Sequence, residues 1–197
     1  SIIKNIYNKV KNKKNLIDLI KKYSSNKKVI EAGSGTGILS TYLASIGYDS
    51  VAIDIDKDIL NLSKKIAREY GAKNVPKLKI DSILELNYKK HEFDVSFSNG
   101  VLEHFNDKEI KKKLKKQMKI AKTVIVGIPT KYFDDSEAMY GDERFLTIKF
   151  WRKIIEDAGG KIIEEKSCHY LTKFKILLNF KKYFRPYPYR IFVIQKK

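Results

Sequence analysis

A three-layer α/β/α sandwich around a mostly parallel, seven-stranded sheet is the fold that this sequence predicts, and three observations carry it. Short apolar, β-branched runs alternate with amphipathic stretches along all 197 residues, the pattern of successive strand–helix–strand units. The first four runs, ending near Ala32, Asp54, Ile80 and Ser98, each hand over to small or polar residues, as parallel strands do where their carboxyl ends meet along one sheet edge. No repeat or low-complexity linker divides the chain, so residues 1–197 are expected to form a single domain.

From Ile2 to about Tyr23, apolar residues fall at 2, 3, 6, 7, 10, 16, 17, 19 and 20, the spacing of one or two amphipathic helices. Residues 1–27 are therefore expected as a helical cap over the carboxyl edge of the sheet. Strands are expected near 28–32, 50–54, 77–80, 94–98, 123–127, 161–167 and 189–195, because each run is short and apolar. Helices fall between most of them, near 37–47, 57–71, 107–121 and 147–158. Asp56 is placed to cap the helix that starts near Lys57. Between Lys108 and Lys122, Ile110, Leu114 and Met118 repeat every four residues, giving one apolar stripe with lysines on the solvent side.

The first strand breaks into Glu31-Ala32-Gly33-Ser34-Gly35-Thr36-Gly37. Three glycines in one tight turn permit positive φ and let a ligand lie against bare peptide groups. The helix that follows turns its unpaired N–H groups and the positive end of its dipole to the same place, which suits an anionic group. Dinucleotide-binding loops want glycine or alanine at the sixth position, and counting from Gly33 that position is Ile38. The second strand ends at Asp54-Ile55-Asp56, roughly 20 residues on, where one carboxylate can accept hydrogen bonds from both hydroxyls of a ribose. Asp81-Ser82 and Ser98-Asn99-Gly100-Val101-Leu102-Glu103-His104 follow the third and fourth strands.

These four motifs, in this order and spacing, resemble those of class I S-adenosylmethionine-dependent methyltransferases, and the likeness runs from about residue 28 to 165. The resemblance implies a Rossmann-like sandwich whose last strand is inserted antiparallel. It implies that Gly33, Ser34, Gly35 and Gly37 back the methionine part of the cofactor S-adenosylmethionine, with Glu31 bracing the loop. Asp54 would hold the ribose, with Ile55 beside it among the cofactor contacts. Asp81 would face the adenine amino group with the Ser82 backbone alongside, and Asn99 would lie near the methionine moiety. The products would be S-adenosylhomocysteine and a methylated acceptor. The helix dipole suits the methionine carboxylate, so no phosphate is needed.

Composition bounds the acceptor and the compartment. Hydrophobic residues make up 43% of the chain, enough for a packed core. No apolar run approaches the 18 or so residues of a membrane span, and a cytoplasmic protein is the expectation. Cys168 is the only cysteine, which excludes an internal disulfide, and no neighbouring ligands give it a metal role. The net charge of +18 collects in the first 28 residues, in Lys108–Lys122 and in the tail from Lys173. Between Glu31 and Glu103 acids slightly outnumber bases. Lysine outnumbers arginine about sevenfold, and arginine is the preferred residue for phosphate and base-edge contacts. A solvated basic surface is therefore favoured over a nucleic-acid face.

The acceptor side falls to the remaining segments. Residues 129–146 are too long and too aromatic for a plain turn and are expected as a lid, with Tyr132, Phe133 and Tyr140 walling a small-molecule acceptor. Residues 171–188 form an aromatic and basic insertion before the last strand, expected to cap the sheet. His104 follows the fourth strand and is the candidate general base, since imidazole with an ordinary pKa of about 6.5 suits proton removal near neutrality. The fourth strand does not continue into the Asp/Asn-Pro-Pro-Tyr/Phe run of adenine-methylating relatives, which places the resemblance with small-molecule methyltransferases. Two alternatives stay open: an RNA methyltransferase gripping its substrate through the basic segments, and a non-catalytic module that keeps the cofactor fold.

Overall fold

The computed structural model describes residues 2–69, 74–85, 87–133, 141–168 and 188–197. Its seven strands are β1 (Lys28–Ala32), β2 (Asp49–Asp54), β3 (Lys77–Ile80), β4 (Phe93–Asn99), β5 (Ala121–Pro129), β6 (Gly160–Cys168) and β7 (Tyr189–Lys196). They form one sheet in the order β3-β2-β1-β4-β5-β7-β6. The pairs from β3 through β5 are parallel, and β7 runs antiparallel to both neighbours. The strand order reverses between β1 and β4, and open sheets of this kind take their ligands in the crevice that such a reversal leaves at the carboxyl ends.

Among the described residues six α-helices flank the sheet: α1 (Ile2–Val10), α2 (Lys14–Tyr23), α3 (Ile38–Ser45), α4 (Lys57–Glu69), α5 (Asp107–Ile120) and α6 (Ile148–Asp157). Alternation along the central strands sorts side chains to the two faces. Ile125, Ile191 and Val193 join Leu39 and Leu43 of α3 on one face, while Val124, Val126, Phe192 and Ile194 meet α5 and α6 on the other. Trp151 of α6 is fully enclosed in that second layer. The N-terminal helices contribute to a core layer. Ile6, Val10, Leu16, Ile17, Leu19 and Ile20 are buried in the α3-side core, and burying each aliphatic side chain contributes roughly 1.5–3 kcal/mol.

Local signals place the boundaries. Gly37 takes φ +61 and is the N-cap of α3, so the helix starts at Ile38, one residue later than its sequence pattern suggests. Asp56 Oδ1 accepts from the N–H groups of Asp58 and Ile59 and caps α4 as expected. Asn106 and Glu109 exchange side-chain to backbone bonds in a capping box at the start of α5. The α5 stripe of Ile110, Leu114 and Met118 is buried as its spacing predicts. Lys113 departs from the expected solvent face: its side chain is buried with Nζ 3.6 Å from the Phe105 ring centroid. An ammonium can rest there because the face of the ring attracts it, although burial holds its pKa below the usual lysine value.

At the amino end of β4, Asp94 gathers four donors. It accepts from Asn26 N (2.7 Å), Asn26 Nδ2 (2.9 Å), Lys28 N (3.4 Å) and Lys122 Nζ (2.9 Å). One buried carboxylate thus joins the α2–β1 turn, β4 and β5. No helix among the described residues is long and apolar enough to cross a membrane.

Candidate active site

The glycine turn after β1 closes on its neighbours at two glycines and stays open at the third. A Cβ on Gly33 (φ +70) would lie 2.8 Å from Val101 Cγ2, and one on Gly37 would lie 2.8 Å from Ser63 Oγ. A Cβ on Gly35 (φ +52) would meet nothing within 4 Å. The turn is therefore packed against β4's exit and α4 while its middle faces open space.

Backbone and carboxylate bonds tie this turn to the next two strands. Ser34 N donates to Ile53 O at 2.9 Å, Gly35 N to Asp54 Oδ2 at 2.8 Å and Asp81 N to Asp54 O at 3.0 Å. Asp54 Oδ1 also accepts from Asp56 N at 3.1 Å. Each carboxylate oxygen can accept more than one bond, so Asp54 keeps capacity for a ligand while it clamps the loop. Ile55 directly after it is 75% exposed, an apolar side chain standing at the carboxyl edge.

Glu31 links the two ends of the loop. It is buried and accepts from Ser40 N at 3.1 Å and Ser40 Oγ at 2.6 Å, tying the end of β1 to the first turn of α3. Burial pushes its pKa up to about 7, and the Ser40 bonds pull partly against that. Ser34 Oγ is enclosed with no partner among the described residues. Asp81 pairs with Lys79 at 3.0 Å and accepts from Ser82 N at 2.9 Å. At the end of β4, Asn99 Oδ1 accepts from Tyr189 Oη at 3.0 Å.

His104 ends a 3-10 turn, Leu102–His104, that leaves β4. Its Nδ1 lies 2.6 Å from Asp142 Oδ1, and the ligating atoms of His104, Asp142 and Glu143 lie within 4.8 Å of one another. Arg144 pins this arm of the 129–146 segment: its backbone N–H donates to Glu103 O, and its guanidinium donates to Phe105 O at 2.6 Å and to Asp107 Oδ1 at 2.7 Å. On the other arm Phe133 stacks on Phe145 with centroids 5.3 Å apart and packs against the α3-side core. Lys131 Nζ stands 5.0 Å from the Tyr132 ring centroid. Residues 134–140, with Tyr140, lie outside the described residues, as does the 171–188 insertion apart from Pro188.

Two residues escape sequence reasoning. Glu103 is 3% exposed with Oε2 unpartnered among the described residues, and its pKa is raised to about 7, mainly by burial. Glu143 and Asp142 raise it further, while its own backbone N–H and His104 act against them. The signal was an acid directly before the candidate histidine. Tyr189 reaches Asn99 from β7, ninety residues away in sequence, and no local pattern announces that.

A family model described as a methyltransferase domain matches residues 23–175. The chain belongs to the methyltransferase-domain family. The matched span holds the glycine turn, Asp54, Asp81, Asn99 and His104 of this methyltransferase domain. The ubiquinone biosynthesis O-methyltransferase of Methylococcus capsulatus is 32% identical over 83 residues, or 42% of this chain. The match spans about a third of that relative's length, 35%. Magnesium protoporphyrin IX methyltransferase from Synechocystis PCC 6803, solved with bound S-adenosylmethionine, aligns with TM-score 0.64 at 22% identity. That alignment covers 86% of this chain and 69% of the other. A S-adenosylmethionine-dependent methyltransferase from Clostridium acetobutylicum gives TM-score 0.68 at 15% identity over 94% of this chain and 90% of its own. The sandwich with its antiparallel seventh strand is thus the Rossmann-like methyltransferase fold.

Proposed function

We propose that this chain is a S-adenosylmethionine-dependent methyltransferase that moves a methyl group to an O, N or C atom of a small-molecule acceptor by in-line displacement. The observation that carries this reading is the glycine turn, open at Gly35 and clamped to Asp54 at the reversal point of the sheet. The residues fit the cofactor. A Cβ at Gly35 would fill the cradle, Asp54 offers one carboxylate to two ribose hydroxyls, and Ile55 offers the adenine an apolar face. Asp81 and Ser82 take the adenine edge, and Gly33, Ser34, Gly37 and Asn99 take the methionine part, near the positive end of the α3 dipole. Bound there, S-adenosylmethionine supplies an electrophilic methyl on a sulfonium.

The chain's own contribution is alignment and exclusion of water, worth about 7 kcal/mol or more when the reacting atoms are well placed. Tyr132 and Phe133, with Tyr140, wall the acceptor side. His104 is the base for a hydroxyl or protonated amine acceptor. Its Nδ1–H donates to Asp142, an arrangement that sets the ring's orientation and assigns proton acceptance to Nε2. His104→Ala is expected to leave S-adenosylmethionine affinity unchanged and to slow turnover by about 10²- to 10⁴-fold. Turnover equal to that of the unaltered chain removes His104 from this role.

A thermal-shift series tests the cofactor. S-adenosylmethionine and S-adenosylhomocysteine should raise the melting midpoint, since a ligand at 100 times its dissociation constant adds about 2.7 kcal/mol to the folded state. NAD should not. An equal shift with NAD, or none with the first two, sinks the reading.

A further inference from the structure

Asn99 and Tyr189 come from β4 and β7, the two strands that flank β5. Between them on β5 lies Gly127, paired with Asn99 in the β4–β5 register. A Cβ on Gly127 would fall 2.6 Å from Asn99 Oδ1 and 3.0 Å from Tyr189 Cε1. Both side chains thus use the space left by the missing side chain, and there Tyr189 Oη donates to Asn99 Oδ1 at 3.0 Å. The tyrosine is 5% exposed, so its ring is held by the sheet-face core. Gly100 N donates to Gly127 O at 3.0 Å and continues the β4–β5 pairing past Asn99, while Gly100 takes φ +71 as the chain turns away.

A carboxamide carries its acceptor and its two donors on opposite sides. With Oδ1 bound to Tyr189, the Asn99 NH₂ group is directed away from β7, and the described residues give it no acceptor. We infer that Tyr189 is a positioning residue for the cofactor, holding Asn99 with its N–H donors offered at the carboxyl edge of the sheet. The placement rests on the reading of Asn99 as a contact of the methionine moiety. The acceptor of those donors is then the carboxylate end of an amino-acid group.

Tyr189→Phe keeps the ring over Gly127 and removes only the hydroxyl. In calorimetry on the full chain it should weaken S-adenosylmethionine and S-adenosylhomocysteine by about tenfold, the scale of one hydrogen bond. Asn99→Ala should weaken both by a similar or larger factor, and the double variant by no more than Asn99→Ala alone, because the two residues act as one unit. A tyrosine that only packs would lower the melting midpoint and leave the affinity of the folded protein unchanged. Wild-type affinity in Tyr189→Phe, or losses that multiply in the double variant, overturns the inference while the cofactor reading stands. Full affinity in Asn99→Ala removes both residues from the site. Failure of the unaltered chain to bind either ligand overturns the cofactor reading itself.

Discussion

Replacing Asp54 with alanine is expected to raise the dissociation constant for S-adenosylmethionine by about a hundredfold or more. Two losses combine. On the proposed reading the carboxylate at the end of β2 accepts both ribose hydroxyls, and bonds to a charged acceptor are each worth about 1.5–3 kcal/mol. The same carboxylate clamps Gly35 N at 2.8 Å and Asp56 N at 3.1 Å, so its removal also frees the turn that faces the ligand. Asp54→Asn retains one acceptor oxygen and should fall between the alanine variant and the unaltered chain. Calorimetry decides: an alanine variant that binds normally removes Asp54 from the ribose site.

The second large effect lies at the opposite end of the sheet and concerns stability. Asp94→Ala should lower the unfolding free energy by about 3 kcal/mol or more, since it leaves several donors at the amino end of β4 without their acceptor. The pH dependence has a defined sign. Burial alone raises the Asp94 pKa, but Lys122 and the Asn26 and Lys28 donors outweigh it and hold the carboxyl below its ordinary range. A folded-state pKa below the unfolded value means that the contribution is complete above about pH 4 and is lost as pH falls through the folded value. Urea titrations at pH 7 and in that acid window provide the check. The unaltered chain should lose stability between them that Asp94→Asn does not lose, and identical pH profiles would count against the assignment.

Much of the architecture was legible because local chemistry and global fold agree. The run Val29-Ile30-Glu31-Ala32 is apolar because β1 is buried on both faces, and its exit needs glycine because the chain turns at positive φ. Asp56, Asn106 and Thr147 are short polar residues before helical patterns, and each caps the helix that follows. Ile110, Leu114 and Met118 declared their stripe by spacing alone. Less legible was the N-terminal segment: its apolar positions marked helices, but only packing shows that Leu16, Ile17, Leu19 and Ile20 belong to a core layer. Lys113 ran against pattern because a ring from outside its own helix receives its charge.

The site divides along the same line. Gly33 to Gly37, Asp54, Asp81 and Asn99 are candidates that the sequence itself nominates, because each ends or directly follows a strand and parallel strands must bring their carboxyl ends together. His104 was nominated for its chemistry, but its partner Asp142 lies 38 positions away, beyond β5. Tyr189 is more distant still, and Gly127 reads in sequence as an ordinary strand residue until the neighbouring strands are set beside it. By itself, then, the sequence determined the layers, the strand ends and the family. Tertiary structure alone decided which side chains hold those ends in place, because such contacts depend on distances across the sheet that no spacing along the chain encodes.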